Sequence, residues 1–195
     1  MAQSAPDHPF VATLRTRFGG VLYAGAHNPD SRACVIEVAT VVRKQAWSDD
    51  PSAAKLPDLR PLNDALWSSD QARTEALIPI VLALWDWSTW MATQQQRWAT
   101  KIAERTIREI LPPMLRQIGL DTEADRCEKE GTEEAARAAG AAWAVARAAG
   151  AVRTAAAVKA AGAAEGQTIT PDSILQLACR IWTEEAHAIT SEASA

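Results

Sequence analysis

The chain is short of most residues that carry chemistry. Its 195 residues include three cysteines, Cys34, Cys127 and Cys179, widely spaced and without a CxxC pair. An odd, scattered set argues against a disulfide framework and fits a reducing cytoplasm. The three histidines, His8, His27 and His187, lie far apart, so no metal-ligand spacing is present. There is no G-x-S-x-G, P-loop, G-x-G-x-x-G or H-E-x-x-H, and hence no nucleophile elbow, phosphate cradle, cofactor motif or zincin helix. No basic excess is present either. Lys plus Arg number 20 against 24 acids, a net charge of −4, which disfavours nucleic acid as a partner. The longest aliphatic run, Leu77 to Trp85, falls far short of the ~20 residues of a membrane span. The N-terminal MAQSAPDHPF has no basic n-region followed by an apolar h-region, so it predicts no signal peptide.

What is present predicts a folded domain. The chain is 48% hydrophobic and 23% charged, which excludes wholesale disorder. Eight Trp stand against two Phe and one Tyr. A core built this way rests on a few bulky anchors among many small residues, and each buried indole N–H needs an acceptor.

Almost every segment reads as helix. Residues 7–18 carry Phe10, Val11, Leu14 and Phe18 at helical spacing and stop at Gly19-Gly20. Asn28-Pro29-Asp30-Ser31 predicts the start of a second helix over 31–45, whose Val35–Val42 core is β-branched but has no partner strand elsewhere. Residues 46–63, with Pro51, Pro57 and Pro61, read as a loop with at most a short turn of helix. Helices are predicted over 69–87, where Pro79 marks a kink or a start, and over 88–111. Pro112-Pro113 then bends the path, and a short acidic helix follows, capped by Asp121. From Glu133 to Ala164, 18 of 32 residues are Ala, the strongest helix former. Gly140, Gly150 and Gly162 interrupt this stretch, and Val145, Ala148, Val152 and Ala155 make a small-residue seam. Thr170-Pro171-Asp172 opens a last helix with Ile174, Leu177, Ala178, Ile181 and Trp182 as its stripe, frayed from about Thr190. The expected architecture is all-α. It is a single-domain helical bundle of about six to eight helices over residues 1–190, Trp-anchored over 1–120, with an Ala-rich C-terminal helical hairpin over 121–190 and a frayed tail at 191–195.

Three blocks carry a resemblance. The first is Cys34-Val35-Ile36-Glu37, Trp47-Ser48-Asp49-Asp50-Pro51 and Leu62-Asn63-Asp64. The second is Arg97-Trp98, Ile110-Leu111-Pro112 and Gly119-Leu120. The third is the Ala-rich stretch with Trp143, followed by Thr170-Pro171. In this order they resemble a group of uncharacterised Ala-rich helical proteins of high-GC bacteria and their phages. The chain departs from that pattern at Lys44-Gln45, where Gly-Glu is expected, and lacks a Cys-rich proline turn over 51–57. The resemblance implies a helical fold and a phage- or defence-associated setting. It implies no activity.

Two groups are candidate sites. Glu37, Asp49, Asn63 and Asp64, with Asp50 and with Trp47 at the head of the same turn, could converge to bind a small ligand or divalent cation or do acid/base work. The same residue types equally cap helices and turns, with Glu37 as a buried acceptor. Trp85, Trp87 and Trp90 form the second group, as an interface anchor or as core. Trp87 and Trp90, three apart, share a helix face, and Trp85 points elsewhere. Arg97, Lys101, Arg105 and Arg108 make a basic stripe that could touch phosphates, but Glu104 and Glu109 interrupt it. The reading that follows is a non-enzymatic cytoplasmic protein that binds a protein partner or itself through helical surfaces, without a cofactor. Its rival is a ligand- or metal-binding protein or enzyme using the acidic constellation.

Overall fold

The computed structural model describes residues 8–25, 27, 29, 31–148 and 170–192. Among these residues the fold is all-α, as the sequence predicts, and no strand forms. The helices are α1 (Pro9–Phe18), α2 (Val35–Val42), α3 (Pro51–Ala54), α4 (Arg60–Asn63), α5 (Asp70–Ala83), α6 (Ala92–Arg105), α7 (Leu111–Arg116), α8 (Asp121–Glu130), α9 (Glu133–Ala148) and α10 (Pro171–Glu192). Seven of them run eight residues or longer, within the six to eight expected. The chain divides into two compact units, Met1–Trp98 with Trp182–Ala195, and Ala99–Ile181, with boundaries inside α6 and α10.

In the first unit α1 begins where its first turn can be satisfied. Pro9 has no N–H to orphan, and His8 caps the next amide. Gly19 ends the helix in the left-handed conformation at φ 67°, and the Gly20 amide reaches the Leu14 carbonyl at 2.9 Å. Helix α2 starts at Val35, four residues later than the Asn28–Ser31 signal predicts. The deciding feature is a capping box: the Glu37 amide donates to Cys34 Sγ, and the Glu37 carboxylate accepts from the Cys34 amide. Residues Val35 to Thr40 are all buried, so the β-branched run is a helix enclosed on every side rather than a strand. The 46–63 stretch holds two single-turn helices, α3 and α4, each with Pro in its first turn. Helix α5 is capped by Ser69, whose Oγ accepts from Ala72 N at 3.1 Å, and it carries the exposed Pro79 in its interior. It ends at Ala83, short of Trp87, and a 3₁₀ turn spans Trp87–Thr89. Phe10, Leu14, Ile36, Leu77, Ile80 and Leu84 are buried to 1% exposure or less and centre the core. Helix α10 continues to Glu192, past the expected fraying point, and Arg97 pairs with Glu192 there.

In the second unit the helical run is not broken at Pro112-Pro113. A π turn over Thr106–Ile110 absorbs the hydrogen bonds the prolines cannot make, and α7 continues with both prolines in its first turn. Helix α8 ends at Gly131 (φ 63°). The Arg108 guanidinium closes that end by donating to the carbonyls of Glu128 (2.9 Å), Lys129 (2.6 Å) and Glu130 (2.8 Å). A Cβ on Gly131 would collide with the Arg108 side chain, so this position needs glycine for two reasons. Thr132 Oγ1 accepts from Ala135 N at 3.2 Å and opens α9. Ile107, Leu115, Ala124, Cys127, Ala135 and Ala139 form the core. Small residues at four of these six positions let α8 and α9 approach closely. The expected continuation of the Ala-rich helix to 164, with Gly150, Gly162 and the far part of the seam and hairpin, lies outside the described residues. Thr170 and Ser173 cap α10 reciprocally, each hydroxyl accepting from the other's amide, at 3.0 and 3.1 Å.

Candidate functional site

The polar constellation is brought together in part, and its groups face the backbone. Glu37 is 1% exposed. Its Oε1 accepts from the His27 amide at 2.7 Å, and its Oε2 accepts from the Cys34 amide at 2.7 Å and lies 3.1 Å from His27 Nδ1. Two backbone N–H groups and the His27 ring nitrogen Nδ1 therefore converge on one carboxylate. Asn63 is fully buried. Its Oδ1 accepts from Val35 N at 3.2 Å, and its Nδ2 donates to the Tyr23 carbonyl at 2.9 Å and to Asp64 Oδ1 at 2.7 Å. Asp64 also accepts from Gly25 N at 2.8 Å. Trp47 donates its indole N–H to the His27 carbonyl at 2.8 Å.

Most of these bonds tie the segment between α1 and α2 to the bundle, through Tyr23, Gly25, His27 and Cys34. Arg73 and Thr74, on the buried face of α5, extend the network. Arg73 Nε donates to the Asn63 carbonyl at 2.7 Å, and its guanidinium pairs with Asp70. Thr74 Oγ1 accepts from Leu22 N at 2.8 Å. Sequence reading missed both. The signal was available: Arg73 stands in phase with Leu77, Ile80, Val81 and Leu84, so a helix with those residues inside buries this arginine too. The link from His27 to Glu37 had no sequence signal, since His27 lies in a loop without periodicity.

Asp49 does not join the group. It is exposed, and with Asp50 it acts on the Arg60 guanidinium. Asp50 caps α3 by accepting from Ser52 N at 3.0 Å. Among the described residues no set of three or more His, Cys, Asp or Glu could hold a metal. Both oxygens of Glu37 already face N–H hydrogens, which would repel a cation. Burial pushes the Cys34 thiol up to about 12, with the Glu37 charge adding to the effect, so this sulfur is a cap and not a nucleophile. Cys179 is likewise pushed up to about 12 by burial.

The tryptophans separate into two groups. Trp85 packs edge-on against His8, with centroids 4.8 Å apart, and under the Arg43 guanidinium at 4.2 Å. Arg43 also donates to the Trp85 carbonyl, while its buried Nε has no partner among the described residues. Trp87 and Trp90 touch each other at 5.2 Å, Trp87 touches Trp98 at 5.0 Å, and Trp98 touches Trp182 at 5.1 Å. The result is a run of four indoles. Its inner member Trp98 is 5% exposed and donates to the Trp182 carbonyl at 3.3 Å. At the outer end Trp87 and Trp90 are half-buried, and the adjoining Met91 is 65% exposed.

The basic stripe is consumed by ion pairs. Arg97 pairs with Glu192, Lys101 with Glu104, Arg105 with Glu109 and Arg108 with Glu104. A cavity of about 370 Å³ in the second unit, walled by Leu111, Met114, Ile118, Ala139 and Ile174, offers Gln117 as its one polar side chain. No described helix is long and apolar enough to cross a membrane. No family model, curated protein or solved structure matches this chain.

Proposed function

We propose that the chain is a non-enzymatic interaction protein whose contact surface is Trp87, Trp90 and Met91. The observation that carries this reading is the outer end of the indole run. Trp47, Trp67 and Trp98 each donate their N–H to a backbone carbonyl, as tryptophans that hold a fold do. Among the described residues the indole N–H groups of Trp87 and Trp90 have no such acceptor, and Met91 projects beside them. Exposed apolar side chains next to rigid aromatic anchors are the composition of an interface hot spot. Trp87 loses little freedom on binding, because Trp98 packs behind it and Trp182 behind Trp98, and Trp90 rests on Trp87. The fitting partner is the apolar face of a protein helix. From Trp85 to Gln96 the only charge is Asp86, so little charge must be desolvated. The resemblance to Ala-rich proteins of high-GC bacteria and phages suits a cytoplasmic, phage- or defence-associated role.

The rival reading, a ligand or metal site at Glu37, Asn63 and Asp64, has less support, since the polar atoms of Glu37 and Asn63 are engaged with backbone N–H and C=O groups and Asp64 Oδ1 accepts from the Gly25 amide.

The test is site-specific photo-crosslinking in the native host, with benzoylphenylalanine replacing Met91 and, as control, the exposed Thr16 of α1. The reading expects one discrete adduct from position 91 and none from position 16. No adduct at 91, or the same adducts at both positions, would overturn it.

A further inference from the structure

We propose that His8 is an acid-sensitive latch: neutral, it caps α1 and holds the start of that helix against Trp85, and protonated, it releases both. The Phe10 amide donates to His8 Nδ1 at 3.2 Å. A ring nitrogen accepts only while it carries no proton, so neutral His8 keeps its hydrogen on Nε2, and an added proton lands on Nδ1, the capping atom. The same ring stands perpendicular to Trp85, with centroids 4.8 Å apart and an interplanar angle of 88°, and Phe10 reaches the same indole at 6.1 Å. Cap and aromatic contact therefore depend on one side chain.

The surroundings of the ring oppose a positive charge. Protonation would place a cation at the positive end of the α1 dipole. Two charged side chains act on the imidazole: Arg43, which follows α2 and disfavours the proton, and Asp86, which follows α5 and favours it. Asp7, next in the chain, lies outside the described residues. Burial is the largest influence and, with Arg43, sets the His8 pKa below its ordinary 6.5. A base whose folded-state pKa is depressed contributes its stability in full above the unfolded value. That contribution is lost as pH falls from 6.5 through the folded value. Loss of an N-cap shifts a helix-end equilibrium by about fivefold.

The test is an NMR titration of the full chain from pH 8 to pH 4.5, with hydrogen-exchange protection measured at Phe10, Val11 and Ala12. The expected result is a His8 midpoint below 6.5, a Phe10 amide shift with the same midpoint, and about a fivefold fall in protection across it. His8→Asn keeps a capping oxygen that does not titrate, and should hold Phe10 protected at both ends of the range. A His8 midpoint at or above 6.5, a Phe10 amide blind to the transition, or the same loss in His8→Asn would overturn the proposal. The wild-type titration decides the matter by itself if the variant folds poorly.

Discussion

Replacing Glu37 by Gln separates a carboxylate that organises the fold from one that does chemistry. The change is isosteric, but it converts one acceptor oxygen into an NH₂ group. If the amide nitrogen takes the Oε1 position, it faces the His27 N–H. If it takes the Oε2 position, it faces the Cys34 N–H and His27 Nδ1. Either placement sets donor against donor in a buried site, and the remaining bonds lose their ionic character. A hydrogen bond to a charged group is worth about 1.5–3 kcal/mol, and a buried unsatisfied donor costs about 1–3 kcal/mol. Burying a neutral amide is cheaper than burying a carboxylate, which returns part of the cost. The net expectation is a loss of about 2–4 kcal/mol, a large fraction of a typical ~5–15 kcal/mol stability. Urea unfolding of wild type and Glu37→Gln measures it. Hydrogen exchange should locate the loss at the Gly25, His27 and Cys34 amides and leave α8 and α9 unchanged. Wild-type stability in Glu37→Gln would refute the reasoning and return Glu37 to the candidate ligands.

Gly131→Ala should cost about 1–2 kcal/mol, from a positive-φ penalty plus displacement of Arg108 from the α8 carbonyls, and thermal melting checks it. With Cys34 and Cys179 held near 12, on the order of one thiol in 10⁴ is ionised at pH 8, so their reaction with a disulfide reagent should await unfolding. Rapid labelling of the native protein at either position would contradict their burial. Addition of Mg, Mn, Ca or Zn ions, or of EDTA, should leave the melting temperature unchanged, because a ligand bound only by the native state would raise it. A metal-dependent rise would favour the rival reading.

The all-helical class was legible because its signals are local. Hydrophobic spacing, Gly19, Ser69 and Thr170-Pro171 each mark a face or a boundary within a few residues of themselves. The start of α2 was misplaced because two caps competed. Asn28-Pro29 looks stronger in sequence, but the box closed by Cys34 and Glu37 also anchors the preceding loop. The π turn before Pro112-Pro113 could not be read, since a proline pair gives the same signal whether the chain breaks or shifts its hydrogen-bond register. At the candidate site, residue types were legible and partners were not. Glu37 reads as either a ligand or a buried acceptor until His27, ten residues away in an aperiodic loop, is placed beside it. Trp87 and Trp90 do touch, but across a 3₁₀ turn with Trp90 as its extended C-cap rather than on the expected helix face, and the stacking of Trp85 with His8 and Arg43 joins three distant segments.

The central claim is that Trp90 serves contact rather than folding, and one variant tests it directly. Trp90→Ser should melt within about 2 °C of wild type, a shift typical of a surface change well under 1 kcal/mol, while the adduct formed through position 91 disappears. A drop matching the ~3–5 kcal/mol of a core tryptophan truncation, with the adduct still formed, would contradict the account.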